Sequence, residues 1–225
     1  MNHIHPTAII ATNVTLGDNN KIGAYTVIDG PTLIGNNNII GSHVVIGSPG
    51  QDTKNPRYDS SNALIKIGDN NIIREFSAIQ KPCYTDITEL GNNIYLMQSV
   101  HIPHDAILED DVVITPMSVL AGITRIMKGA NIGIGAGINQ YNVIGQYSMV
   151  SASAFVMKNV KPFSRHIPRN PISVNVYAIK KFGFLEYLDT IKDYVLNDIE
   201  PKEKIIKDIV DRFNNYHIKS KKTLY

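Results

Sequence analysis

An aliphatic residue recurs at every sixth position along most of this chain, and few folds accept that period. The steps run from Ile10 to Ile46, resume from Ile67 to Ile79, and continue from Leu90 to Val156, making 22 hexads. Glycine often comes next, as at Gly17, Gly23, Gly35, Gly41 and Gly47. Period six matches neither the 3.6 of a helix nor the plain alternation of a strand. It matches a solenoid in which each short strand runs into a tight turn. Three strands then close a triangular coil, and each hexad aliphatic points inward onto the coil below. Glycine and asparagine supply the unusual backbone conformations of the turns. No single coil could bury its apolar side, but stacked coils bury one continuous column. At three hexads per coil, 22 hexads predict about seven coils, a mainly β parallel β-helix.

Two polar, Pro-bearing stretches break the period, at 48–64 and 81–89. Both should loop out of a coil, where a rigid scaffold usually carries its binding residues. The repeat stops near Val156, so residues 1–160 form the β-helix domain. Residues 161–225 form a connector and a small α-helical region, with "KPFSRHIPRN" as the connector. Helices are expected over 174–184 and from Leu185 to Ile218, with Pro201 opening a further helix and the tail "KSKKTLY" frayed.

Bulk properties remove several function classes. Lys+Arg number 22 against 20 Asp+Glu, a net charge of +2, which gives no reason to expect nucleic acid. One cysteine, Cys83, excludes an internal disulfide. No apolar run is long enough to cross a bilayer, so a cytoplasmic protein is the expectation. The glycines follow the repeat and never cluster as a nucleotide-binding loop.

The reactive side chains concentrate in "VHIPHDAI" (100–107), where His101 and His104 flank Pro103 and Asp105 follows. Two packing histidines are the plain alternative to a functional site. A catalytic zinc would need three protein ligands. None of the other five histidines lies one coil, 18 residues, from this pair, so no metal is expected. A general base is the third reading: a neutral imidazole takes a proton near pH 7, and Asp105 could orient it. Cys83 has no evident partner base and reads as incidental.

Several segments resemble, in order, the UDP-N-acetylglucosamine O-acyltransferases of lipid A synthesis. They are "IHPTAII", "SHVVIG" (42–47), "GQDTK" (50–54), "IGDNNIIRE" (67–75), "HIPHD" (101–105), "LAG" (120–122) and "VNVYAIKKFGF" (174–184). The resemblance covers nearly the whole chain. It implies a left-handed parallel β-helix, a homotrimer with sites between adjacent β-helices, and no cofactor. The acyl group, a 3-hydroxyacyl among the candidates, would come from an acyl-carrier-protein or coenzyme A thioester. A hydroxyl or amine of a nucleotide-linked hexose would receive it. Carried over residue by residue, His104 is the general base, Asp105 its support, and Gly122 an oxyanion donor. Gln51, Asp52, Lys54, His101, Asn139, Gln140, Asn175 and Lys181 are the substrate-binding positions.

The departures bear on the acceptor. The family has histidines where this chain has Ile123 and Asn139, and charged residues where it has Tyr177 and Phe182. The N-terminal half is about one coil shorter. A polar substrate group left unpaired costs about 1–3 kcal/mol. These losses therefore point to an altered nucleotide sugar, with N-acyl transfer as one form. They also motivate a rival reading, a catalytically inactive sugar-nucleotide-binding β-helix.

Overall fold

The computed structural model describes residues 1–54 and 62–225; the middle of the first interruption, residues 55–61, lies outside the described residues. Among the described residues, strands of two to four residues assemble into three sheets of ten, eight and seven strands. Successive strands pass from the first sheet to the second, to the third and back. Each strand hydrogen-bonds its counterpart one coil along, always in parallel through the β-helix. His3 pairs with Lys21, and Lys21 with Ile39. The seven strands of the third sheet mark seven closed coils.

The hexad aliphatics end their strands and turn inward. From Ile22 to Val156 they are buried and form one continuous core, whereas Ile10 and Leu16, in the first coil, are only partly covered. Strand identity therefore comes from the column: a two-residue strand has no stability alone, and its neighbours above and below supply both pairing and burial. The turns leading from the third sheet to the first need a left-handed backbone. Asn19, Asn37, Asn70 and Asn93 provide it, with φ between 56 and 58°. The next residue in these turns adds a buried amide ladder. Asn38 N–H donates to Asn20 Oδ1 at 2.9 Å, Asn71 N–H to Asn38 Oδ1 at 2.9 Å, and Ile94 N–H to Asn71 Oδ1 at 2.8 Å.

That ladder crosses both interruptions. The sequence step between partners is 18 residues at first, then 33, then 23, yet the pairing stays in register. Ile39 pairs with Ile72, and Ile72 with Tyr95. The described parts of both loops leave the coil and return to it without shifting the strands.

The β-structure runs past residue 160. Ser164–His166 adds a parallel strand beside Met149–Val150, and Ser173–Val174 then pairs antiparallel with it. The expected connector is thus partly sheet. Helix α1 spans Val176–Lys181, α2 Leu188–Asn197 and α3 Lys204–Ser220. Pro201 does not open α3, which starts at Lys204 after Glu203. The helices bury Ile179, Ile191, Val195 and Ile206 together with Tyr147 and Phe163 of the last turns. Phe213 joins Met127 and Val143. The tail is docked, not frayed: Leu224 bridges Asn159, and the Tyr225 ring stacks on His166 with centroids 3.9 Å apart. No helix among the described residues is long and apolar enough to cross a membrane.

Ile114 is fully buried midway up the column. Ile114→Ala leaves a cavity between rigid coils and is expected to cost about 2–5 kcal/mol, read as a lowered denaturant midpoint with the same far-ultraviolet spectrum before the transition.

Candidate active site

The turns between the second and third sheets stack as the strands do. His101 pairs with Val119 and Val119 with Gly137; beyond the turn, Ile107 pairs with Arg125 and Arg125 with Val143. His104, Gly122 and Gln140 therefore take the same place on successive rungs, about 4.8 Å apart per coil. The next place is left-handed throughout: Asp105, Ile123 and Tyr141 have φ of 59, 61 and 65°. For the β-branched Ile123 this conformation is strained. It is held by the Ile123 N–H, which donates to the His104 carbonyl at 3.1 Å.

The Asp105 carboxylate organises the site. Its Oδ2 lies 2.7 Å from His104 Nδ1 and accepts the Cys83 N–H at 3.1 Å. Its Oδ1 accepts the Thr85 N–H at 2.7 Å and the Thr85 hydroxyl at 2.6 Å, and the Tyr84 N–H lies in reach of both oxygens. Burial opposes the charge, but the bonds from His104, Thr85 and Cys83 outweigh it and hold the carboxyl at about 2. In the neutral imidazole, an ionised Asp105 places the ring proton on Nδ1 and leaves the lone pair on Nε2. Thus the 81–89 interruption wraps its backbone donors around the carboxylate that fixes the histidine.

Gly122 meets that histidine directly. A Cβ added there would lie 2.2 Å from Cε1 and 2.3 Å from Nε2 of His104. Only glycine allows this approach. Among the described residues the Gly122 N–H has no hydrogen-bond partner within the chain, so a donor without a partner stands beside the free imidazole nitrogen.

The other expected site residues fall into two groups. Asp52 lies beside the dyad; the Lys54 N–H and the Tyr84 hydroxyl lower its pKa, with His104 adding to the effect. Lys54 is exposed next to it, and the Gln51 N–H donates to Gln80 Oε1 at 3.2 Å. Burial and the neighbouring His104 lower the pKa of His101. Asn139 and Gln140 are half-buried in the turn two coils above His104. Asn175 and Lys181 lie elsewhere, in a cleft of about 390 Å³ between α1 and the first sheet, with Asp111 and Arg165. Asn175 also works structurally: its Oδ1 accepts the Ala178 N–H and its Nδ2 donates to the Tyr147 carbonyl. Phe182 is explained by packing, its ring 4.8 Å from that of Tyr147.

Sequence reasoning missed Thr85, Tyr84 and the backbone N–H of Cys83. Tyr84 sets its ring edge-on to His104 at 5.9 Å, and Cys83 is fully buried beside it. The break in period at 81–89 was the available signal, because residues that leave the repeat are freed from its packing.

The sequence pattern described as "Bacterial transferase hexapeptide (six repeats)" matches residues 13–48. The chain is 34% identical over 209 residues to an acyl-(acyl-carrier-protein)–UDP-N-acetylglucosamine O-acyltransferase of Thiobacillus denitrificans, covering 84% of this chain and 81% of that protein. It is 31% identical to the Aliivibrio fischeri protein of the same name, over 80% and 76% of the two chains. The solved UDP-N-acetylglucosamine acyltransferase of Bacteroides fragilis superposes with a TM-score of 0.82 at 29% identity, covering 100% of this chain and 98% of that one. The Moraxella catarrhalis UDP-N-acetylglucosamine O-acyltransferase does so with 0.73 at 28%, covering 98% of each.

Because the folded Asp105 carboxyl sits near 2, below its ordinary 3.8, it stabilises the fold above pH 4 and loses that contribution as pH falls from about 4 to 2. Asp105→Asn lacks this part of the acid slope. Denaturant midpoints taken at steps across that range are expected to fall less steeply for the variant than for the wild type.

Proposed function

Since the chain belongs to the acyl-carrier-protein–UDP-N-acetylglucosamine O-acyltransferase family, we propose that it transfers an acyl group from acyl carrier protein to a hydroxyl of UDP-N-acetylglucosamine, a cytoplasmic step toward lipid A. The observation that carries this reading is the His104–Asp105 pair with Gly122 against the ring. Asp105 keeps the proton on Nδ1, and His104 Nε2 takes the proton of the acceptor hydroxyl as its oxygen attacks the thioester carbonyl. The Gly122 N–H meets the oxyanion of the tetrahedral intermediate. Collapse expels the carrier thiolate, which takes the proton back from His104. Direct transfer fits the surroundings: burial and the charges of Asp105 and Asp52 push the Cys83 thiol up to about 11, leaving no thiolate to form an acyl-enzyme at neutral pH.

Asp52, Lys54 and Gln51 are assigned to the sugar nucleotide next to His104, with His101, Asn139 and Gln140 extending the site along the coils. Lys181 is assigned to its diphosphate, with Asn175 fixing α1 there. Lys181 lies in the cleft against the first sheet and His104 in the turn between the second and third sheets, and we assign a site that uses both to two chains. This supports the homotrimer with shared sites. The altered acceptor is not carried forward: Phe182 is accounted for by packing, and the relatives' names specify O-acyl transfer to UDP-N-acetylglucosamine.

Thioester consumption with acyl-carrier-protein donors and UDP-N-acetylglucosamine tests the reaction. His104→Ala is expected to lower kcat by about 10²–10⁴-fold, and Gly122→Ala to abolish turnover because its methyl falls on Nε2. Turnover that survives His104→Ala removes the base from its role. Silence across acyl donors with the sugar nucleotide still bound favours the inactive binding protein.

The shared site has its own test. His104→Ala and Lys181→Glu chains, each inactive alone, are expected to regain activity when unfolded together and reassembled, because some sites then combine two unaltered halves. No recovery in assemblies that contain both chains refutes the shared site.

A further inference from the structure

Cys83, His104 and Asp105 are three different kinds of metal ligand held in one buried cluster. Their donor atoms all lie within 4.8 Å of one another. Each residue is at most 5% exposed. A histidine-only reading of the sequence found no third ligand, because the thiol reaches the pair from the loop between coils. We propose that Cys83, His104 and Asp105 bind a thiophilic divalent cation of the zinc class, and that the bound cation switches off the base.

The donor set suits that ion. Zinc takes thiolate, imidazole and carboxylate together, and three protein ligands leave the fourth position for water or Asp52. Room for the ion's sulfur ligand is built into the backbone. A Cβ on Gly50 would lie 2.2 Å from Cys83 Sγ and 2.7 Å from His104 Cβ, so glycine leaves both side chains unobstructed. The field also favours a cation. Asp105 and Asp52 both act on Cys83 and His104. On binding, the metal ion bonds the sulfur and displaces its proton to solvent.

Loss of the base follows from the imidazole itself, and this step rests on the proposed role of His104. The carboxylate faces Nδ1, so an ion shared by all three ligands sits on Nδ1 and replaces the proton between the ring and Asp105. The neutral ring then carries its proton on Nε2, and the nitrogen that would take the acceptor's proton is lost. The Cys83 side chain has no part in acyl transfer, so its removal separates metal binding from turnover.

Cobalt(II) titration of the metal-stripped full chain gives the direct readout. One ion per chain is expected, with a thiolate-to-cobalt charge-transfer band that is missing in Cys83→Ala and Cys83→Ser. Zinc is expected to inhibit acyl transfer by the wild type, reversibly by chelator. With each protein compared against its own metal-free rate, the half-inhibitory concentration should rise at least ~10-fold in both variants. No thiolate band at saturating cobalt, or equal zinc sensitivity in all three proteins, overturns the site. The cobalt band needs no turnover, so it decides the site even if the acyl-transfer reading fails.

Discussion

Everything in this molecule hangs on the vertical register between coils. Each strand has only two to four residues and cannot exist without the identical strand above and below. The backbone bonds from one rung to the next, such as Val113 N–H to the Ala130 carbonyl at 3.0 Å and Asn131 N–H to the Ser148 carbonyl at 2.9 Å, hold that register. The inward aliphatics hold it from inside, since a slip of one residue would turn the column outward. The buried Asn20–Asn38–Asn71 ladder adds a polar constraint at one corner. A displaced asparagine there would leave amides unpaired in the interior, which costs more than the bonds themselves contribute.

The same register builds the site. Residues 18 apart become neighbours, so the second place of three successive turns brings His104, Gly122 and Gln140 into a line. Loops can leave the coil at a corner without disturbing this line, because the strands on either side remain paired. The loop at 81–89 uses that freedom to wrap Asp105 with backbone donors. Its carboxylate is thus charged although buried, which is the condition for orienting His104. The scaffold supplies rigidity, and the insertion at 81–89 supplies the donors that hold the carboxylate.

The repeat was legible because burial imposes it at every hexad, from Ile22 to Val156. The His104–Asp105 pair was legible because the segment departs from an otherwise unreactive pattern. The role of Thr85 and the nearness of Cys83 were not, since both depend on how a loop of irregular length returns to the coil. The tail reads as a frayed basic end, yet two apolar residues dock it: Leu224 on Asn159, and Tyr225 on His166. Local composition could not reveal a partner some 60 residues away. For the same reason the strand at Ser164–His166 escaped notice, because its pairing surface is the last coil and not its own sequence pattern.

By itself the sequence determined the coil: a six-residue period of aliphatics has one way to bury itself, and turn-forming asparagines follow from the corners. It also determined which histidine and carboxylate are adjacent, since His104 and Asp105 are neighbours in the chain. Only the tertiary structure decided what surrounds them. The contact of Gly122 with the imidazole comes from stacking, and the thiol beside it from a loop's return path. The separation of Asn175 and Lys181 from His104 comes from the triangular cross-section, which sends successive corners in different directions. Spacing along a chain sets what each coil buries; distance across coils and corners is a property of the packed solid.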